Sequence, residues 1–267
     1  MSNRVFTVQR GSAPLLISLP HVGTTIPADQ QQRYTDRALQ VEDTDWFLDR
    51  LFAFAANELD ATLLVPQHSR YLVDLNRPPG NAPMYAGQNN TGLCPTTHFT
   101  GEPIYRDGQA PDAAEVARRA ATYWQPYHDA LQAEAERLRA AHGHVVLFDG
   151  HSICSELPWL FDGRLPALNL GTADGSSCAP ALRDALTQRL AAQAEHSWVV
   201  DGRFKGGYIT RQYGRPQHGV HAVQLEMCWR AYIDETPPIV WHAQRAAAVT
   251  PLLRGLLQAM LAFRPAA

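Results

Sequence analysis

No run of about 18 uninterrupted apolar residues occurs in this 267-residue sequence, so no membrane-spanning helix is expected. Cysteine is scarce and scattered. Cys94, Cys154, Cys178 and Cys228 form no CxxC pair, which argues against a disulfide framework and against a thiolate zinc knuckle. Charge of one sign is also lacking: 23 Lys and Arg face 26 Asp and Glu, a formal net charge of −3. Without a basic stripe or a basic amphipathic face, neither a nucleic acid nor a lipid surface is the expected partner. The opening stretch MSNRVFTVQRGSAPLLISLPH lacks the charged start, long apolar core and small-residue cleavage site of a signal peptide, so a cytoplasmic address is expected. These absences leave a small molecule as the expected partner and give no signal about oligomeric state.

What is present is enough apolar material, 45% of residues, to bury a sizeable core, with no linker dividing it. One domain over 1–267 is the simplest organisation. Short apolar or β-branched runs at Leu15–Leu19, Thr62–Val65, Val145–Phe148, Ala167–Leu170, Trp198–Val200 and Ala222–Leu225 read as buried strands. Helical spacing appears at Asp43–Leu59, with Asp43 or Thr44 as N-cap, and at Pro111–Ala141, with a kink expected at Pro126 and an end at Gly143. Further helices are expected at Ala179–Glu195 and Ile239–Phe263, the second interrupted near Pro251. Alternating strands and helices specify an α/β domain with helices on both faces of the sheet. The stretch 78–108, rich in Gly, Pro, Asn and Thr, has no sustained period and reads as a long loop, either an active-site lid or a surface excursion.

Several polar residues sit where such a sheet places its ligand crevice. His21 follows the first strand in SLPHVG, and His151 follows VVLF in DGHS, just past the strand end. Asp149 is placed to accept the second imidazole N–H of His151 and fix its tautomer. Either histidine also suits a purely structural role. Among the acids Glu42, Asp43 and Asp45, capping and the helix dipole account for Asp43, whereas Asp45 is less needed there and is free to act as an oxygen ligand. In HAVQLEMC, alternation puts Glu226 on the face opposite Val223 and Leu225, a costly position for a carboxylate unless it is paired or working. In SRYLVDLNR, Arg70, Asn76 and Arg77 offer carboxylate-binding groups, with an Asp74–Arg77 surface pair as the plain alternative; Arg211 in KGGYITRQYG offers another.

No short zinc signature such as HExxH is present, and no GxSxG elbow supports Ser152 as a nucleophile. Two strand-end histidines, an acid, a strand-borne glutamate and an Asn-Arg pair can together build a three-ligand zinc site with an open position for water.

The ordered segments SLPHVGTTIP, EDTDWFLDRLF, SRYLVDLNRP, TGLCPTTHFTGEPIY, LFDGHSI, GGYITRQYG and VQLEMCWRAYI resemble the N-formylglutamate amidohydrolase (deformylase) family, from about residue 14 to 233. The resemblance implies a single three-layer α/β/α domain with a mostly parallel mixed sheet, like that of zinc carboxypeptidases and aspartoacylases. It implies hydrolysis of N-formyl-L-glutamate to formate and L-glutamate in histidine breakdown. Carried over by motif, it makes His21, Asp45 and His151 ligands of zinc or another divalent metal, with Glu42 and Asp43 as rivals for the acid. Glu226 becomes the general base and Asn76 and Arg77 the holders of a substrate carboxylate. For a dianionic substrate Arg77 and Arg211 are the expected anchors, and Arg70 the oxyanion partner. A zinc hydrolase of other N-acyl amino acids or short peptides, and a non-catalytic carboxylate-binding module, are the alternatives. Cys94 in TGLCP either lines the site or packs.

Overall fold

The computed structural model describes residues 5–80 and 89–265. Among the described residues, seven strands form one mixed sheet: β1 (Phe6–Gln9), β2 (Leu15–Ser18), β3 (Thr62–Pro66), β4 (Val145–Ile153), β5 (Leu168–Gly171), β6 (Trp198–Val200) and β7 (Val220–Cys228). Their order is β1-β3-β2-β4-β7-β5-β6, with β1 antiparallel to β3, β5 antiparallel to β7, and the remaining pairs parallel. The helices are α1 (Ala28–Gln31), α2 (Leu48–Leu51), α3 (Ala53–Leu59), α4 (Ala113–Arg119), α5 (Gln125–His142), α6 (Pro180–Ala191), α7 (Tyr208–Tyr213) and α8 (Ala243–Ala262).

Side chains alternate across the pleat, and the two faces gather separate cores. Leu15, Ile17, Phe148, Val223 and Leu225 pack with α2, α3, α6 and α8, whereas Leu16, Leu64, Leu147 and Ala222 pack with α5 and with Ile209 of α7. The result is the α/β/α layering expected from the alternation of elements. No helix among the described residues is long and apolar enough to cross a membrane.

The boundaries differ from the sequence pattern where side chains beyond the apolar run complete the pairing. β4 and β7 run on through DGHSI and EMC, because their polar residues are buried between neighbouring strands. β1 was not anticipated; it is a short, half-exposed edge strand with little apolar signal. The expected Asp43–Leu59 helix is two short helices preceded by Phe47 at φ 60°, and Asp43 does not cap it: its Oδ2 accepts from the Phe99 N–H at 2.9 Å. In place of a kink at Pro126, a π-helical turn over Ala120–Trp124 joins α4 to α5, consistent with an imino nitrogen that has no proton to give the preceding turn. α4 is capped by Asp112, which accepts from the Glu115 N–H, and α5 ends at Gly143 with φ 77°. α8 starts only at Ala243 and passes unbroken through Pro251, packed on the sheet by Val249, Leu253, Leu256 and Leu257.

His128 ties the second layer to the segment that carries the site. Its Nε2 donates to the Leu75 carbonyl (2.8 Å), its Nδ1 faces the Tyr213 hydroxyl (2.9 Å), and its ring stacks on Trp124. Burial pushes the imidazole down to about 4. The folded state therefore takes up this proton later than the unfolded chain, and the contribution of the neutral ring is lost as pH falls from about 6.5 to 4. The loss is worth about 3 kcal/mol over that range. Urea unfolding at pH 7 and pH 4 should show a smaller acid loss in His128→Gln than in the wild type; parallel profiles would remove His128 as the cause.

Candidate active site

The site grows from two adjacent parallel strands. β4 and β7 pair in register, with Asp149 opposite Gln224 and His151 opposite Glu226. Alternation puts all four on the α5/α7 face, which is apolar at its lower end (Val145, Leu147, Ala222) and polar toward the strands' C-terminal ends. His151 thus lies within β4 rather than just past its end, its position fixed by the ladder. His21 comes from the turn after β2, and Asp45 is brought to it by a backbone bond from the Asp45 N–H to the His21 carbonyl (3.0 Å). Twenty-four positions of separation thereby become direct contact.

Nδ1 of His151 lies 3.2 Å from Nδ1 of His21 and 3.2 Å from Asp45 Oδ2, and His21 Nδ1 lies 3.6 Å from the same oxygen. All three residues are buried. Ligands around a tetrahedral zinc at about 2.0–2.1 Å sit roughly 3.3 Å apart, so the two imidazole nitrogens and the carboxylate oxygen fit such an ion. Of the three acids in this segment only Asp45 joins the histidines; Glu42 pairs with Arg37 at 2.9 Å, and Asp43 holds the Phe99 amide.

Behind each imidazole stands a second carboxylate. Asp74 Oδ1 is 2.7 Å from His21 Nε2, and Asp149 Oδ1 is 3.0 Å from His151 Nε2, leaving both Nδ1 atoms to face the ion position. Asp74 is fully buried, which removes the alternative of an Asp74–Arg77 surface pair; its Oδ2 takes Arg70 Nη2 at 2.6 Å, with Arg77 at 4.0 Å. Burial alone would raise the Asp45 and Asp74 carboxyls, yet their cationic neighbours hold both below the usual range. Burial likewise opposes protonation of His151, but Asp149 and Asp45 outweigh it and raise the imidazole well above its ordinary value. The cluster demands positive charge, which a metal ion can supply as well as a proton.

Glu226 sits beside His151, buried in the same crevice; burial and then the Asp45 charge push its carboxyl up to about 8, against the pull of His151 and Arg70. Arg70 lines the crevice with Nη1 3.8 Å from Asp45 and its guanidinium over the Phe99 ring. Asn76 lines it too, but its amide is engaged: Nδ2 lies 2.9 Å from His151 Nε2 and 3.3 Å from Asp149, and Oδ1 accepts from the Ile209 N–H. A Cβ on Gly207 would lie 2.3 Å from that Nδ2, so the bare backbone there is what lets α7 dock. Arg77 borders the crevice and holds Thr91 through its carbonyl (2.9 Å) and hydroxyl (3.0 Å).

Arg211 is not brought to the site. It is exposed on α7, donates to the Gly206 carbonyl and does not line the crevice, because the helical turn directs it outward. Arg203, in the turn after β6, lines it instead; the only signal for it in the sequence is a cation shortly after a predicted strand end. Cys94 is buried and does not line the crevice, and Ser152 bonds the Tyr232 hydroxyl (2.7 Å). Of the expected lid, residues 81–88 lie outside the described residues, while Asn89, Asn90, Thr91 and Phe99 line a narrow cavity of about 70 Å³.

A family model described as N-formylglutamate amidohydrolase matches residues 13–233. The chain belongs to the N-formylglutamate amidohydrolase family. It is 47% identical to an N-formylglutamate deformylase of Pseudomonas aeruginosa over 261 residues, 98% of this chain and 97% of that one, and 42% identical to one of Pseudomonas putida over the same shares. Among solved structures, an N-formylglutamate amidohydrolase from Ralstonia eutropha JMP134 superposes with a TM-score of 0.78 at 25% identity, covering 96% of each chain. A gene product from Agrobacterium tumefaciens shares the fold, with a TM-score of 0.74 at 20% identity over 97% of this chain and 96% of that one. If the cluster of His21, Asp45 and His151 holds a divalent cation, zinc titrated into Asp149→Asn should bind about 10- to 100-fold more weakly than in the wild type, in competition with a chromogenic chelator. Unaltered retention would show that Asp149 does not orient a ligand.

Proposed function

We propose that the protein hydrolyses N-formyl-L-glutamate to formate and L-glutamate, the deformylation step of histidine degradation, using a divalent cation, zinc by preference, held by His21, Asp45 and His151. The observation that carries this reading is the cluster of two Nδ1 atoms and a carboxylate oxygen at ligand spacing beside a buried glutamate, in a chain of this family. A cation bound there supplies Lewis acidity and lowers the pKa of water.

The remaining chemistry belongs to side chains. Glu226 takes a proton from the attacking water as its oxygen bonds to the formyl carbon, and delivers that proton to the amide nitrogen as the C–N bond breaks. Products are formate and the free amine of glutamate. Arg70, held by Asp74 and flanked by Phe99, presents positive charge to the oxygen that becomes anionic. Asp74, accepting from His21 Nε2, fixes the tautomer of that imidazole, Asp149 places negative charge beside His151 Nε2, and Asn76 ties Asp149 to α7. Arg77 is the anchor for the α-carboxylate, since it adjoins Asn76 and thus the reacting centre. A formyl group asks for only a small acyl pocket, so most of the recognition falls to the two carboxylates.

In Glu226→Gln, turnover should fall by about 100-fold or more while metal content stays at wild-type level; near-normal turnover would exclude Glu226 as the base. Dialysis against a chelator should abolish hydrolysis, and zinc should restore it. Activity that survives full metal removal would refute the metal reading, and N-acetylglutamate cleaved as fast as the formyl compound would refute the small acyl pocket.

A further inference from the structure

The crevice is bordered by three arginines whose environments differ. Arg70 is committed to Asp74 at 2.6 Å and stands near Asp45, so its charge belongs to the reacting centre. Arg77 follows β3, on one side of the β4–β7 pair, and Arg203 follows β6, on the other side. The two are thus supplied by segments that leave the sheet on opposite sides of the strands carrying His151 and Glu226. Each also holds a piece of the crevice wall: Arg77 binds Thr91, and Arg203 Nη2 donates to the Leu160 carbonyl at 3.2 Å. Around Arg203 the lining is apolar, with Leu160, Phe204 and Ile153. In such surroundings a guanidinium–carboxylate pair gains more than in water.

From this placement we infer that Arg203 receives the substrate carboxylate remote from the scissile amide, and so selects formylated acidic amino acids over neutral ones. The inference rests on the deformylase reading and adds the determinant of its side-chain specificity. Arg77 holds the carboxylate that every N-formyl amino acid carries, whereas Arg203 reads the one that only the acidic substrate has. A second carboxylate buried in this crevice is costly unless a cation meets it, and Arg203 supplies one beside the apolar Ile153, Leu160 and Phe204.

The test compares kcat/KM for N-formylglutamate and its γ-amide, N-formylglutamine, in zinc-loaded protein. The wild type should prefer the diacid, and Arg203→Ala should reduce that preference about 10- to 100-fold, the worth of one charge-assisted hydrogen bond. Arg203→Lys, which keeps the charge but not the planar fork, should fall between. Arg77→Ala should lower both rates and keep their ratio, because both substrates share the carboxylate it holds. A wild-type preference that persists in Arg203→Ala, or that is lost in Arg77→Ala instead, overturns the assignment of Arg203 and leaves the deformylase reading intact. A zinc-loaded wild type that cleaves neither substrate overturns the deformylase reading itself, and the inference with it.

Discussion

Three buried carboxylates, Asp45, Asp74 and Asp149, converge on two buried imidazoles, and this concentration of negative charge away from water is the constraint around which the rest is arranged. Ionised groups in such a place are tolerated only when opposite charge and hydrogen bonds answer them. Arg70 and Arg77 answer part of the charge on Asp74, the Asn76 amide and the Thr210 hydroxyl both donate to Oδ2 of Asp149, and the Nδ1 atoms face Asp45. What remains is a point between three ligand atoms where positive charge is in demand.

The scaffold delivers these groups by different means, each suited to the tolerance it needs. His151 and Glu226 are set by strand pairing. His21 and Asp45 are set by a single peptide hydrogen bond between two turns. Asn76 is set by α7, which in turn depends on the Tyr213–His128 contact and thus on the long helix of the second layer. Helix packing far from the crevice therefore bears on the orientation of His151.

Much of this was legible in the sequence. Strand runs such as VVLF and HAVQL, separated by helical spacing, specify the layering, because burial on both sheet faces leaves a continuous apolar signature. His21, His151 and Glu226 stood out as polar residues at the ends of such runs and Asp45 as an acid at a helix head, and the structure gathers them. Less legible were features created by tertiary contact. The role of Asp74 depends on His21, 53 positions away, and neither local spacing nor charge announces it. Asp43 matches a helix cap in pattern, yet the helix begins five residues later and Asp43 instead secures Phe99, the ring beneath Arg70. Arg203 and Arg211 both follow closely on glycines in the sequence; only the direction of the short helix that carries Arg211 decides which of them reaches the crevice.

The in-register pairing of His151 with Glu226 has a consequence for how this enzyme family can diversify. Because two hydrogen-bonded backbones hold His151 and Glu226 at a fixed separation, insertions or replacements in the surrounding loops can reshape what is admitted without moving that pair. New selectivity is thereby open to gradual mutation at the rim, while the paired strands are inherited whole.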